Sequence, residues 1–433
     1  MNLSPFLLTP FFVIIGRSGG LIVPFFIAHF YGVSRETDAF FFANGIIMFL
    51  WGVFQQVFET VLLPYLAEQK RKSAGHMFFF VRRVLYTVLP LLALVCIGLK
   101  FFLPRLLSAT SGLDPDMASL VTLIYTFLVP FLLMTVFVSA VNGILNTYKV
   151  FWFPAVSPLI RSLVIVAFMF LFHDKLGIHA ISAGFVGGEF LRWAVSLYLL
   201  FHLGLWTGKN LAAPSDGQGD ARSFWGQSVY QVFALGAVQL IPLLNQWYAS
   251  WLGVGDLSML NYADRLYQIP FQLFLAGQSQ IFLSHWADSY YEQSKTDFRR
   301  RVQRDMAVTL GVVTLFAAGC WLSRGLLVRL SLGFGEVKGA SLESISSLFG
   351  VLIMGLAPAV INTLLLRVLF VMRQSAGFMA QSVIKLGLQL LLNGLLMKVY
   401  GLQGIAIATM LNVTVTTLGL YAYILFLWKR QSV

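Results

Sequence analysis

Met117–Tyr148, MASLVTLIYTFLVPFLLMTVFVSAVNGILNTY, contains no Asp, Glu, Lys or Arg. A membrane-crossing helix needs roughly 20 consecutive apolar residues, so this run is long enough to span a bilayer core. Its apolar residues are continuous where a strand of a membrane barrel would alternate, which excludes a β-barrel. Ser223–Gly255, Ser344–Leu366 and Leu402–Trp428 are free of charge in the same way. Over the whole chain of 433 residues, 58% are hydrophobic and only 11% charged. The sequence therefore predicts an all-α integral membrane protein.

Charge-free runs and the polar loops between them give about twelve helices. They fall near 8–31, 39–66, 79–103, 117–146, 151–172, 176–205, 224–252, 258–286, 305–330, 343–370, 376–398 and 402–428. Thr207–Arg222, TGKNLAAPSDGQGDAR, is the most polar connection and reads as a linker. The expected organisation is an N-terminal six-helix lobe over 1–206, a cytoplasmic linker over 207–223 and a C-terminal six-helix lobe over 224–433. A weak internal repeat supports it: Pro64–Glu68 and Ser284–Asp288 end the second and eighth helices, and Gly177–Ile181 and Gly401–Ile405 open the sixth and twelfth. Pro24 and Pro242 lie in the first and seventh. Six helices separate each pair, an even number, so the halves are expected to be parallel and to enclose a central cavity.

The formal charge of +12 does not point to nucleic acid, because the basic residues gather in short loops between apolar runs. That pattern sets orientation. Sixteen Lys and Arg fall on the side of the termini and eight on the other, which predicts cytoplasmic termini. The first basic residue is Arg17, so the N-terminus lacks the charged start of a signal peptide and the first span is expected to remain in the mature protein. Cys96 and Cys320 lie in apolar spans and read as packing residues. The six histidines show no metal-ligand spacing and no Walker-type phosphate loop occurs. No catalytic residue, metal or cofactor is expected.

Six cations remain within or beside spans: Arg17, Arg161, Arg192, Arg265, Arg367 and Lys385. Such residues cost roughly 2.5–3.5 kcal/mol on insertion scales and usually face a cavity, a partner or a substrate. In Asn261–Pro270, NYADRLYQIP, Asp264 and Arg265 stand together at the start of a run with no further charge before Ala287. They could form a simple interfacial ion pair, or Arg265 could meet an anionic substrate. Arg17 stands alone in the first span beside Gly19, Gly20 and Pro24, residues that let a helix bend. The pattern fits a moving gate, or close helix packing with a snorkelling arginine. Glu59 in the second span could pair with Arg17 or relay a cation. Glu189 and Arg192, three apart, are expected to satisfy each other. Arg367 could equally sit at an interface.

These residues form a recognisable pattern. Phe30–Gly32, Thr37–Phe41 and Leu63–Glu68 resemble the beginning of MurJ (MviN-type) lipid II flippases, of the multidrug/oligosaccharidyl-lipid/polysaccharide exporter superfamily. Gly143–Thr147 with Phe153–Ala155 and Pro158 is similar to their fourth-to-fifth helix turn, and Tyr262–Pro270 to their eighth-helix motif. The resemblance implies movement of an undecaprenyl-diphosphate-linked saccharide, lipid II or a related lipid-linked oligosaccharide, between leaflets of the bacterial inner membrane by alternating access. It places Arg17, Asp38 and Arg265 on family positions of the cavity or its gate. Arginine suits a diphosphate, because its donors are planar and permanently charged. The family usually carries further arginines in its first two helices, whereas this chain has Val23 and Pro24 in the first and no Lys or Arg between Arg35 and Lys70. It also commonly has fourteen helices, against the twelve read here.

Arg17, Arg265 and Asp264 are thus the candidate substrate-binding residues. Asp38, Glu59, Gly19, Gly20 and Pro24 are the candidates for gating or coupling, with Glu189, Arg192 and Arg367 secondary. Coupling to sodium, protons or membrane potential fits the same residues, and a monomer is expected. Two other readings stay open: a drug or cation antiporter of the same superfamily, and a non-transporting scaffold for polysaccharide synthesis.

Overall fold

In a computed structural model of the chain, residues 5–205, 220–292, 295–372 and 374–430 are described. The elements are helical throughout these residues: α1 (Pro5–Tyr31), α2 (Arg35–Val57), a π turn (Phe58–Leu62), α3 (Leu63–Lys72), α4 (Ala74–Thr110), α5 (Pro115–Thr147), α6 (Trp152–Leu176) and α7 (His179–His202), then α8 (Asp220–Ala249), α9 (Asp256–Glu292), α10 (Lys295–Leu322), α11 (Arg324–Leu332), α12 (Ala340–Met354), α13 (Leu356–Val371), α14 (Ser375–Tyr400) and α15 (Leu402–Arg430). Joining α2 to α3 through the π turn, and α12 to α13, and setting α11 apart as short, leaves the twelve long passes expected. Eight described helices are individually long and apolar enough to cross a membrane, and the bent pair α12/α13 makes a ninth. The protein is a multi-pass membrane protein.

Three expected spans differ in detail. The second, over 39–66, is interrupted by the π turn. The ninth, over 305–330, ends at Leu322, and α11 begins as a separate helix at Arg324. Arginine resists burial in hydrocarbon, so the pass stops where Arg324 and Arg329 begin. The tenth, over 343–370, bends by 41° between α12 and α13. The break falls at Gly355, whose added Cβ would lie 3.4 Å from Met410 Cα.

The chain divides into two compact units. One holds Met1–Tyr31 and Arg35–Gln239, the other Gly32–Ser34 and Leu240–Val433. The division falls inside α8, downstream of the polar stretch over 207–223, of which residues 207–219 lie outside the described residues.

In the first unit α5 is the central helix. Ile124, Tyr125, Leu128, Phe131 and Leu132 on it are fully buried. Its start is fixed by Asp114, which accepts a hydrogen bond from Met117 N at 2.7 Å, with Pro115 in the first turn. By contrast α4 leaves Tyr86, Leu94, Phe101 and Phe102 outside, an apolar surface suited to lipid tails.

The internal repeat is visible in the backbone. Gly177 closes α6 with φ 53° and Gly401 closes α14 with φ 56°, a left-handed conformation that glycine takes without strain. Each N–H caps the preceding helix, on His173 O and Met397 O respectively, both at 2.9 Å. The next helix then starts on the glycine's carbonyl, through Ala180 N at 3.1 Å and Gly404 N at 3.0 Å. The same turn is thus made once in each unit.

Candidate functional site

In the first unit, α1 packs along α6. An added Cβ on Gly16 would collide with the Ala155 carbonyl, and one on Gly19 would come 2.9 Å from Leu159 Cδ1 and Ser162 Oγ. Gly20 faces open space and Pro24 is buried within the helix. The backbone of Arg17 is therefore held at the height of Ala155–Ser162. The side chains of Arg17 and Glu59 lie outside the described residues, and with them the expected pair; Glu59 sits in the π turn, a distortion frequent at functional positions. Asp38 is buried in the first turn of α2, where a carboxylate complements the positive end of the helix.

The stretch of α6 facing α1 also feeds a buried ion cluster. Glu189 on α7 is fully buried, and its two oxygens accept from Arg192 Nη1 at 2.9 and 2.8 Å, the pair expected from their spacing. Arg161 on α6 joins from across the helix pair, with Nη1 3.4 Å from Glu189 Oε2. Arg192 Nη2 donates to Ser157 Oγ at 3.2 Å, while its Nε is buried without a partner among the described residues. Two arginines thus share one carboxylate, leaving a surplus positive charge. What lets them meet is Gly188: an added Cβ there would lie 2.9 Å from Arg161 Cα. The participation of Arg161 is invisible in the sequence, because it joins two helices; the glycines of Gly184 and Gly187–Gly188 are the signal of that close crossing.

In the second unit, α9 carries the Asn261–Pro270 stretch. Tyr262 is fully buried and its Oη donates to Gly32 O at 2.8 Å. Asn261 is buried and its Oδ1 accepts from Gln246 Nε2 at 3.1 Å. Asp264 and Arg265 follow, both half-buried; the Asp264 carboxylate interacts with the neighbouring Arg265 charge and is hydrogen-bonded with Gln268 one turn on. Arg265 Nε is buried and has no hydrogen-bond partner among the described residues. Arg367 is half-buried on α13.

The same unit contains a polar cluster that counting charges missed. Gln389 Nε2 donates to Asn245 Oδ1 at 2.9 Å and to Asn393 Oδ1 at 3.0 Å. Asn393 Nδ2 also reaches Asn245 Oδ1, and Asn245 Nδ2 reaches Thr409 Oγ1. Asn412 Nδ2 donates to Gln389 Oε1. These side chains tie α8, α14 and α15 together without a charge, and the amides standing in otherwise apolar spans are the signal that could have found them. Among the described residues, no group of three or more His, Cys, Asp or Glu could hold a metal ion.

The sequence pattern of the family described as lipid II flippase MurJ matches residues 27–431. The chain belongs to this MurJ family. It is similar to the lipid II flippase MurJ of Burkholderia cenocepacia, with 26% identity over 327 residues covering 71% of this chain and 62% of that protein. A probable lipid II flippase MurJ of Haemophilus influenzae is 25% identical over 73% of this chain and 64% of its own. The matched stretches thus span somewhat under two thirds of these relatives. Among solved structures, a lipid II flippase MurJ in an inward closed conformation aligns with a TM-score of 0.83 at 20% identity, covering 96% of this chain and 87% of that one. An inward-facing MATE-family multidrug resistance transporter of the MOP superfamily aligns at 0.80 and 12% identity, over 97% and 96%. At these identities the structures establish the fold that MurJ proteins share with MATE transporters.

Proposed function

We propose that this MurJ-family chain is a flippase that moves an undecaprenyl-diphosphate-linked saccharide, lipid II or a related lipid-linked oligosaccharide, from the cytoplasmic to the periplasmic leaflet by alternating access. The observation that carries the reading is Arg265. Its Nε is buried without a hydrogen-bond partner among the described residues, while Asp264 beside it feels the Arg265 charge and also bonds Gln268. An arginine so placed is stabilised by an oxyanion that accepts from the guanidinium edge. Arg17 would contribute the second cation, Asp38 would help close the periplasmic side, and Gly19, Gly20, Pro24 and Glu59 would serve the gate or its coupling. In this reading the chain works as a monomer in the bacterial inner membrane with cytoplasmic termini, its lobes over 1–206 and 224–433 moving about the connection between them. Outward movement of an anionic lipid is electrically linked, so membrane potential, sodium or protons could drive it.

An antiporter needs a carboxylate free to exchange a cation or proton. Both oxygens of Glu189 are held by arginine, which argues against Glu189 as that carboxylate and leaves Glu59 as the antiporter's candidate. The test is reconstitution into liposomes with labelled lipid II and, in parallel, a labelled undecaprenyl-diphosphate oligosaccharide without peptide. Flipping of lipid II supports a peptidoglycan flippase; flipping of the peptide-free lipid alone supports an exporter of another saccharide. With ion gradients and folded protein, movement of neither sinks the proposal and leaves the antiporter and scaffold.

A further inference from the structure

Met306–Ser323 contains no Asp, Glu, Lys or Arg. As a helix this stretch rises about 27 Å, close to the thickness of a bilayer core. Asp305 and Arg324 therefore mark the two membrane boundaries of α10, and α11 begins where the membrane ends. Its outer side agrees with this placement: Leu326 and Leu330, one turn apart on α11, are 61% and 57% exposed, and Leu322 at the end of α10 and Phe334 in the turn after α11 are exposed on either side of them. Such a stripe lies in the interface with its apolar side among the acyl chains. Trp321, an aromatic of the kind enriched at this depth, carries the Arg324 guanidinium 4.5 Å from its ring centroid.

The other side of α11 packs on α12 through Val328 and Leu332, both buried. Between the two helices is a cavity of about 340 Å³, lined by Arg324, Arg329, Glu343, Ser346 and Ser347 with Gly339 at its edge. Two guanidinium groups against one carboxylate give it a net positive charge. It is basic, sits at headgroup level, and adjoins a surface made for acyl chains.

We propose that this cavity binds the phosphate of an anionic phospholipid headgroup, with Arg329 and Arg324 as donors and the α11 stripe against the lipid's own tails. A phosphodiester presents two unesterified oxygens to such donors, and charge-assisted bonds to guanidinium are the strong ones. A zwitterionic headgroup brings its own cation, which competes with these arginines for the phosphate and is repelled by them. This site stands apart from the residues proposed for transport.

The test counts lipids retained by the purified full-length protein in detergent, by native mass spectrometry, with phosphatidylglycerol or phosphatidylcholine of matched chains. One phosphatidylglycerol should be held at concentrations where phosphatidylcholine is not. R329Q should weaken its retention about tenfold, and E343Q, which removes the opposing charge, should strengthen it. Because E343Q predicts a gain, a misfolded variant cannot imitate the result. Equal retention in wild type, R329Q and E343Q overturns the site. Inorganic phosphate held in the lipid's place would overturn the lipid assignment.

Discussion

At the scale of single residues, two cations gather on one buried carboxylate, whereas Arg265 has, among the described residues, no ion pair of that kind beyond its neighbour Asp264. Glu189 holds Arg192 and Arg161 together inside the first unit, and removing one partner of a buried ion cluster typically costs about 3–5 kcal/mol. Glu189→Gln should therefore lower the thermal unfolding midpoint sharply. Arg161→Gln should be milder, since its contact is 3.4 Å and its side chain is partly exposed. Similar midpoints for the two would show that Glu189 does not organise the cluster. Arg265 should behave oppositely, with little effect on the midpoint and a large one on transport. Losing a charge-assisted bond worth about 1.5–3 kcal/mol slows transport roughly ten- to a hundredfold, so Arg265→Gln should do so at normal expression. Arg265→Lys should fall between, because it keeps the charge and loses the planar fork. Undiminished flipping by Arg265→Gln would remove it from the substrate path. Both Glu189 and Arg265 stood out in the sequence, as charges within apolar runs; Arg161's role did not, since its partner lies on another helix.

At the scale of elements, the glycines sort by what they face. Gly188 allows α6 and α7 to cross with Arg161 Cα 2.9 Å from where its Cβ would be, whereas Gly98 on α4 has nothing within 4 Å. Gly188→Ala should destabilise the protein by about 1–3 kcal/mol through overpacking. Gly98→Ala should be neutral or gain up to about 1 kcal/mol from helix propensity. Comparing the two unfolding midpoints in one detergent checks this, and equal effects would mean the crossing can relax. The sequence carried the helices because lipid imposes length and charge exclusion on each one separately. It did not carry the π turn or the 41° bend at Gly355, which are local responses to packing by neighbours distant in sequence. The bridge of Asn245, Gln389, Asn393, Thr409 and Asn412 was hidden for the same reason: amides bear no charge, and only the fold brings them into hydrogen-bond range.

At the scale of the whole molecule, the twofold repeat was legible in residue spacing, and its structural basis is the matching turns at Gly177 and Gly401. Orientation still rests on the distribution of Lys and Arg. Lys295 begins α10 and Lys398 lies in the last turn of α14, both exposed. With the two native cysteines replaced by Ser, a membrane-impermeant maleimide added to cells with a permeable outer membrane should label Lys398→Cys and not Lys295→Cys. The reverse pattern would invert the proposed direction of transport.

The cluster of Arg161, Glu189 and Arg192 also bears on how the protein is made. Arg161 emerges from the ribosome on α6, before its carboxylate partner has been synthesised, and an arginine in a helix interior costs roughly 2.5–3.5 kcal/mol to release into lipid on insertion scales. Only a short turn separates α6 from α7. The hairpin, not the single helix, is then the expected unit of co-translational insertion, so α6 expressed without α7 should insert less efficiently than the pair.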